Sequence, residues 1–312
     1  MFDVIIVGGG PAGMSAALNL LRMGHSVLIL EKENFGGQIA NSPRVENIPG
    51  IKDISGLEFS HNLFEQILDL GAKFELEEVK RVLKIDNLFE VTTQYRAYKS
   101  RAVILANGVK HRKMNLPNED EFVGKGISFC AVCDGAFFKD EDTYLIGDAN
   151  TALQYALMLS KTSTNVYVFT LFERFFADQI LIERLRVTPN IHVTHNMNLI
   201  AYLGKDELAG LRFENTKDLT IHDYPTNNVF VAIGQVPQND LFKALVKTDE
   251  HGFIITNENM ETSLGGLFAI GDTRKKDVFQ LASAFGDASV AAFFVDKYLH
   301  TNISSPVIPL VE

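Results

Sequence analysis

The chain has 312 residues and a formal net charge of -10, with 46% hydrophobic residues, 22% charged residues and two cysteines. That length can bury a sizeable core as one large or two medium domains, and the hydrophobic content marks a globular chain. The acidic balance excludes a phosphate-backbone binder, which needs a basic surface, and no apolar stretch approaches a membrane span in length.

Met1-Phe2-Asp3 runs straight into Val4-Ile5-Ile6-Val7 with no basic region or cleavage pattern, so no targeting signal is expected and the working compartment is read as the cytoplasm. The apolar run reads as a buried parallel strand. Gly8-Gly9-Gly10-Pro11-Ala12-Gly13 follows, then a helical pattern through Ala16, Ala17, Leu20 and Leu21 that stops near Gly24. G-x-G-x-x-G between a strand and a helix is the context of a dinucleotide site: Gly8 for the tight turn, Gly10 for close approach of a pyrophosphate, Gly13 for helix packing. The second strand, Ser26–Leu30, ends at Glu31, twenty-three residues after Gly8, where a carboxylate accepts hydrogen bonds from a ribose.

The turn-rich stretch from Phe35 to Gly50 reads as a loop over a ligand or as a long surface connection. Ser55-Gly56-Leu57-Glu58 predicts a capping box that opens a helix stopped by Gly71. Strands follow at Phe89–Thr93 and Ala102–Ala106, and Lys110–Asn118 is a candidate linker.

Cys130-Ala131-Val132-Cys133-Asp134-Gly135 holds both cysteines and places an acid directly after them. Two thiols separated by two residues can close a small disulfide ring and exchange with other disulfides. Zinc would need two further ligands, and no third cysteine exists. Two buried small hydrophobes or a structural disulfide are the remaining readings.

The opening pattern then returns as Tyr144-Leu145-Ile146, Gly147-Asp148-Ala149-Asn150-Thr151-Ala152 and a helical run, which predicts a second nucleotide-binding fold. This copy is degenerate. Ala149 and Ala152 replace glycines, and Asp148 brings a carboxylate that, about 4 Å from a phosphate, would be repelled by about 4 kcal/mol at an effective dielectric near 20. Twenty-three residues after Gly147 stands Thr170, not an acid, and Leu171-Phe172 lacks the arginines that hold a 2′-phosphate, leaving Arg174 as the nearby cation. A buried strand is expected at Asn228–Gly234 and a second linker near Leu241–Thr248. Leu267 to Asp272 then precede a helix from about Gln280 to Tyr298, and the tail from Thr301 is read as disordered or as covering an edge.

These motifs, with Gly36-Gly37-Gln38, Val45-Glu46-Asn47, Val231-Ala232-Ile233-Gly234 and Ala269-Ile270-Gly271-Asp272, resemble the low-molecular-weight thioredoxin reductases over nearly the whole chain. The resemblance implies an α/β fold of two tandem Rossmann-like, three-layer domains, the second inserted in the first. Residues 1–115 and 245–312 would bind FAD, and residues 116–244 would carry the redox cysteines. It implies Cys133 against the flavin, Cys130 attacking thioredoxin, and Asp134 as proton donor and acceptor. It also implies Asn47, Asp272 and Gln280 beside Gly37 and Gln38 along FAD, no metal, and a homodimer. Phe279 stands where the family has an arginine before Gln280. The loss of the NADPH signature resembles the ferredoxin-dependent flavin branch. Lys110–Lys113 and Arg274–Lys276 are then candidate docking patches for ferredoxin. An NAD(P)H-dependent enzyme with an atypical pocket, a dithiol oxidase using oxygen and a flavin-binding sensor are the competing readings.

Overall fold

The computed structural model describes residues 1–42, 45 and 48–301, so Asn47 and the tail after Thr301 lie outside the described residues. The chain falls into two compact units, Met1–Asn41 with Ile48–Lys110 and Val236–Glu312, and His111–Gln235 with Ser42–Asn47. The expected linker at 241–248 is not one. Phe242 and Val246 are buried in the first unit's core, because two apolar side chains four residues apart gain more by packing than by spacing domains.

The first unit opens with β1 (Phe2–Val7), α1 (Pro11–Arg22) and β2 (Val27–Glu31). Val4, Ile5 and Ile6 have no exposed surface, as a strand covered on both faces requires. Next come α2 (Gly56–Asp69), β3 (Lys73–Leu76), β4 (Val79–Ile85), β5 (Leu88–Thr93) and β6 (Ala97–Leu105). Ser55 caps α2 by accepting from the Glu58 amide at 3.1 Å, and Gly71 ends it with φ of 89°. Leu63 and Ile67 bury one face of α2, while Leu68 is exposed.

The chain passes into the second unit at β7 (Val109–His111). There follow α3 (Glu119–Phe122), β8 (Ile127–Ser128), α4 (Ala131–Asp134), β9 (Thr143–Ile146), α5 (Asn150–Leu159) and β10 (Val166–Phe169). Then come α6 (Gln179–Arg186), β11 (Ile191–Thr194), β12 (Met197–Gly204), β13 (Leu208–Asn215), β14 (Ile221–Pro225) and β15 (Val229–Val231). After β16 (Gln235–Pro237) the first unit resumes with β17 (Leu267–Ala269) and α7 (Leu281–Thr301).

Both units are built on a Rossmann-like parallel sheet. In the first, the order is β3-β2-β1-β6 with β17 also on β6, extended by antiparallel β5 and β4. In the second it is β11-β10-β9-β15-β8. The antiparallel trio β12-β13-β14 packs one face inward through Met197, Leu199, Leu211 and Phe213. In each unit the chain crosses over at the leading strand, β1 or β9, and the crevice beyond such a strand is where open α/β sheets bind ligands.

Candidate functional site

At the carboxyl end of β1, each glycine has a separate steric cause. A Cβ on Gly8, whose φ is 114°, would stand 2.3 Å from the Ala106 carbonyl oxygen, and one on Gly13 would stand 2.1 Å from the Gly8 oxygen. Gly10 differs: a Cβ there would meet no protein atom within 4 Å. Its bareness leaves room for something other than protein. Pro11 takes the first helical position, where its missing N–H costs nothing, and the buried Ala12 touches the close approach of Gly271.

Glu31 is fixed from three sides. Its carboxylate accepts from the Gly9 amide at 2.7 Å and from the Lys32 and Glu33 amides at 2.8 and 2.9 Å. The turn holding Gly37 and Gln38 is brought against the glycine loop, with the Gly36 amide donating to the Gly9 carbonyl and Gly37 beside Gly10. The Gln38 amide donates to the Val109 carbonyl. Asp272 follows β17, and one of its oxygens, Oδ1, is buried without a hydrogen bond although Lys276 Nζ lies 3.0 Å away in an ion pair. Burial pushes the Asp272 carboxyl up, and Lys276 pulls it back. Gln280 sits just before α7, its amide donating to Ser283. The open space at Gly10, the anchored carboxylate of Glu31 and the buried carboxyl of Asp272 together fit a flavin dinucleotide.

Sequence reasoning missed the support beneath Asp272. Asp287, an acid on the inner face of α7, accepts from two guanidinium nitrogens of Arg274, Nε and Nη2, at 2.9 Å and from the Gly271 amide at 3.0 Å. The available signal was a charged residue at a helix position whose neighbours Ala284, Ala288 and Ala291 are all apolar and buried. The same network takes up two of the three basic residues in the run Arg274–Lys276. Arg274 and Lys276 are committed to Asp287 and Asp272, leaving Lys275 exposed. In the other run Lys110 pairs with Glu33, Lys113 pairs with Asp120, and His111 stacks on Phe129 with its pKa lowered to about 4 by burial.

In the second unit Cys130 and Cys133 form a disulfide with Cα atoms 5.3 Å apart, and α4 turns the chain so that the Cys133 amide lies 3.2 Å from Cys130 Sγ. Asp134 Oδ2 accepts from the Ser128 hydroxyl at 2.6 Å, while Oδ1 is buried with no hydrogen-bond partner. Burial pushes this carboxyl up, and the Ser128 hydroxyl offsets part of that rise. Ser128 carried no motif in the sequence.

The second glycine loop differs from the first in side chains, not backbone. Gly147 has φ of 153°, and a Cβ there would stand 2.4 Å from the Ala232 oxygen, just as Gly8 meets Ala106. Ala149 caps α5 in the extended conformation that Gly10 has before α1, so this loop carries a methyl at the position where the first loop has none. Burial pushes the Asp148 carboxyl up. Thr170 is buried, with its hydroxyl spent on the Phe172 carbonyl and the His195 ring, each at 2.7 Å. Phe172 and Phe176 are about half exposed and in edge contact, and Arg174 lies over the Phe176 ring.

The family profile described as "Pyridine nucleotide-disulphide oxidoreductase" matches residues 2–288. The thioredoxin reductase of Listeria innocua is 35% identical over 300 residues, covering 96% of this chain and 94% of that protein. The "34.2 kDa protein in rubredoxin operon" of Clostridium pasteurianum is 33% identical over 298 residues, 95% of this chain and 97% of its own length. The crystal structure of the Streptococcus pyogenes thioredoxin reductase has 34% identity and a TM-score of 0.91, covering 96% of this chain and 99% of that one. Likeness that runs unbroken through both units, in sequence and in fold, decides what the motifs alone only suggested: the chain belongs to the pyridine nucleotide-disulphide oxidoreductase family and, within it, to the low-molecular-weight thioredoxin reductases, which are FAD-binding flavoproteins.

Proposed function

We propose that electrons enter this enzyme from reduced ferredoxin and leave through the Cys130–Cys133 pair to thioredoxin, the protein working as a cytoplasmic homodimer. Bound FAD supplies the exchange between a one-electron carrier and a two-electron disulfide. Gly8, Gly10 and Gly13 shape the pyrophosphate seat, Glu31 holds a ribose and Asp272 a ribityl hydroxyl. Cys133 exchanges electrons with the flavin and Cys130 attacks the partner's disulfide. A backbone N–H 3.2 Å from Cys130 Sγ supports that assignment, because it stabilises a thiolate there. Asp134 gives a proton to the departing thiolate and recovers it afterwards.

The methyl of Ala149 carries the choice of donor, since it stands at the loop position that is bare glycine in the first unit and would crowd a pyrophosphate. The internal bonding of Thr170 points the same way, as no acid stands there for a ribose. Energetics agree: from about -400 mV for a plant-type ferredoxin to about -270 mV for thioredoxin, transfer of two electrons is downhill by about 6 kcal/mol.

The family's own description favours a pyridine nucleotide as donor instead, and one experiment separates the two. The oxidised holoprotein is mixed anaerobically with reduced ferredoxin, NADPH or NADH, and the flavin absorbance is followed by stopped flow. Ferredoxin should bleach the flavin and, with thioredoxin present, sustain turnover. Rapid bleaching by micromolar NADPH or NADH defeats the ferredoxin reading.

A further inference from the structure

We propose that Ser128 is a positioning residue for proton transfer at the redox pair, fixing which oxygen of Asp134 carries the mobile proton and tying that carboxyl to the backbone of Cys130. Ser128 closes β8 and is 8% exposed. Its hydroxyl has one proton and two lone pairs. The proton goes to Asp134 Oδ2 at 2.6 Å, and the oxygen accepts the Cys130 amide at 3.1 Å. The incoming amide directs the hydroxyl rotor, so the O–H points at the carboxyl instead of rotating among partners.

The consequence falls on the other oxygen. Because Oδ2 already receives the Ser128 proton, the carboxyl's own proton sits on Oδ1, which is buried and has no hydrogen-bond partner. A polar O–H left without a partner in the interior is costly and persists where the chemistry uses it. Ser128 also stabilises the carboxylate once that proton has gone, which limits the rise that burial imposes on Asp134. Tyr155 on α5 is the other titratable side chain coupled to Asp134, its phenol pushed up first by burial and then by the carboxylate's charge.

The inference rests on Asp134 as proton donor, and the step balances. The Cys130 thiolate forms a bond to one partner sulfur and the partner's S–S bond breaks, the departing sulfur taking the Oδ1 proton. Cys133 then returns its thiol proton to Oδ1 as its sulfur attacks Cys130 Sγ. The second partner sulfur leaves as a thiolate that solvent protonates. Two electrons have moved to the partner, and Asp134 ends as it began.

The test is single-turnover oxidation of the dithionite-reduced, full-length holoprotein by oxidised thioredoxin between pH 5 and 10, for the wild type, Ser128→Ala, Ser128→Thr and Asp134→Asn. The rate should fall at alkaline pH as Asp134 ionises. In Ser128→Ala that falling limb should move up by about one pH unit, a tenfold change in the proton equilibrium. Ser128→Thr should restore the wild-type limb, and the rising limb set by the Cys130 thiolate should stay in place. A limb that persists in Asp134→Asn overturns the reading of Asp134 and the inference with it. A limb lost in Asp134→Asn but unmoved in Ser128→Ala overturns the role of Ser128 alone. Should Ser128→Ala fail to fold, the infrared carbonyl stretch of protonated Asp134, identified by its loss in Asp134→Asn, decides on the wild type. A hydrogen-bonded frequency is expected, and a free one defeats the proposal.

Discussion

Single side chains in the second unit have consequences that can be read separately from the flavin. The residues that fit FAD lie in the first unit and the cysteines lie in the second. Cys133→Ser should therefore keep its full flavin content while thioredoxin reduction falls by at least about a thousandfold. Absorbance at the flavin band and a thioredoxin assay check the two halves of that expectation, and retained output would indicate a sensor. His111 carries a pH signature. Its folded pKa is lowered to about 4 from 6.5, so as the pH falls through that window the unfolded chain takes up a proton that the folded chain refuses. Stability contributed by the neutral ring is complete above 6.5 and is lost on the way down to about 4. His111→Phe, which keeps a ring against Phe129, should remove this component from the melting temperature measured against pH.

At the scale of elements, the turn between β1 and α1 separates folding from binding. A methyl on Gly13 would meet the Gly8 carbonyl at 2.1 Å, backbone against backbone. Gly13→Ala should thus lower stability by about 1–3 kcal/mol or more even without cofactor. Gly10→Ala meets no protein atom, so thermal unfolding of the apoprotein should be unchanged while FAD affinity drops at least about tenfold, about 1.4 kcal/mol. Calorimetry of the apoprotein and a flavin-fluorescence titration test the pair. Equal loss of stability in both variants would contradict this division. The segment after β16 has a packing role in place of the linker expected there. Phe242 is 2% exposed within the first unit's core, and Phe242→Ala should destabilise that unit by about 3–5 kcal/mol, as measured by urea unfolding.

For the whole molecule, the net charge of -10 and the ion pairs that take up Lys110, Lys113, Arg274 and Lys276 argue against a purely electrostatic picture of donor docking, although Arg112 and Lys275 stay exposed. If the donor is an acidic ferredoxin, added salt screens repulsion rather than attraction. Its second-order rate constant for reducing the flavin should then hold or rise between low and physiological ionic strength. A steep fall would locate an unpaired basic surface that the ion pairs do not account for.

Much of the chain was legible because its signals are local. Strand, glycine turn and helix succeed one another within some thirty residues at the start, the same order returns at Tyr144, and Ser55-Gly56-Leu57-Glu58 caps the helix it announced. A tight turn or a cap depends on residues that are neighbours in sequence, so composition and spacing suffice to find it. What depended on distant segments stayed hidden. Charges count as surface in a sequence, yet Arg274 and Lys276 turn inward to an acid a full helical turn or more inside α7. A serine at a strand end has no motif, yet β8 and α4 set its hydroxyl between Asp134 and Cys130. The amino-acid order alone determined the fold class, the glycine turn between β1 and α1 and the closeness of the two cysteines, whereas packing decided which charges are spent and which polar atoms are left open. The reason is that partner choice in an interior follows three-dimensional proximity and desolvation, and neither is written in residue spacing.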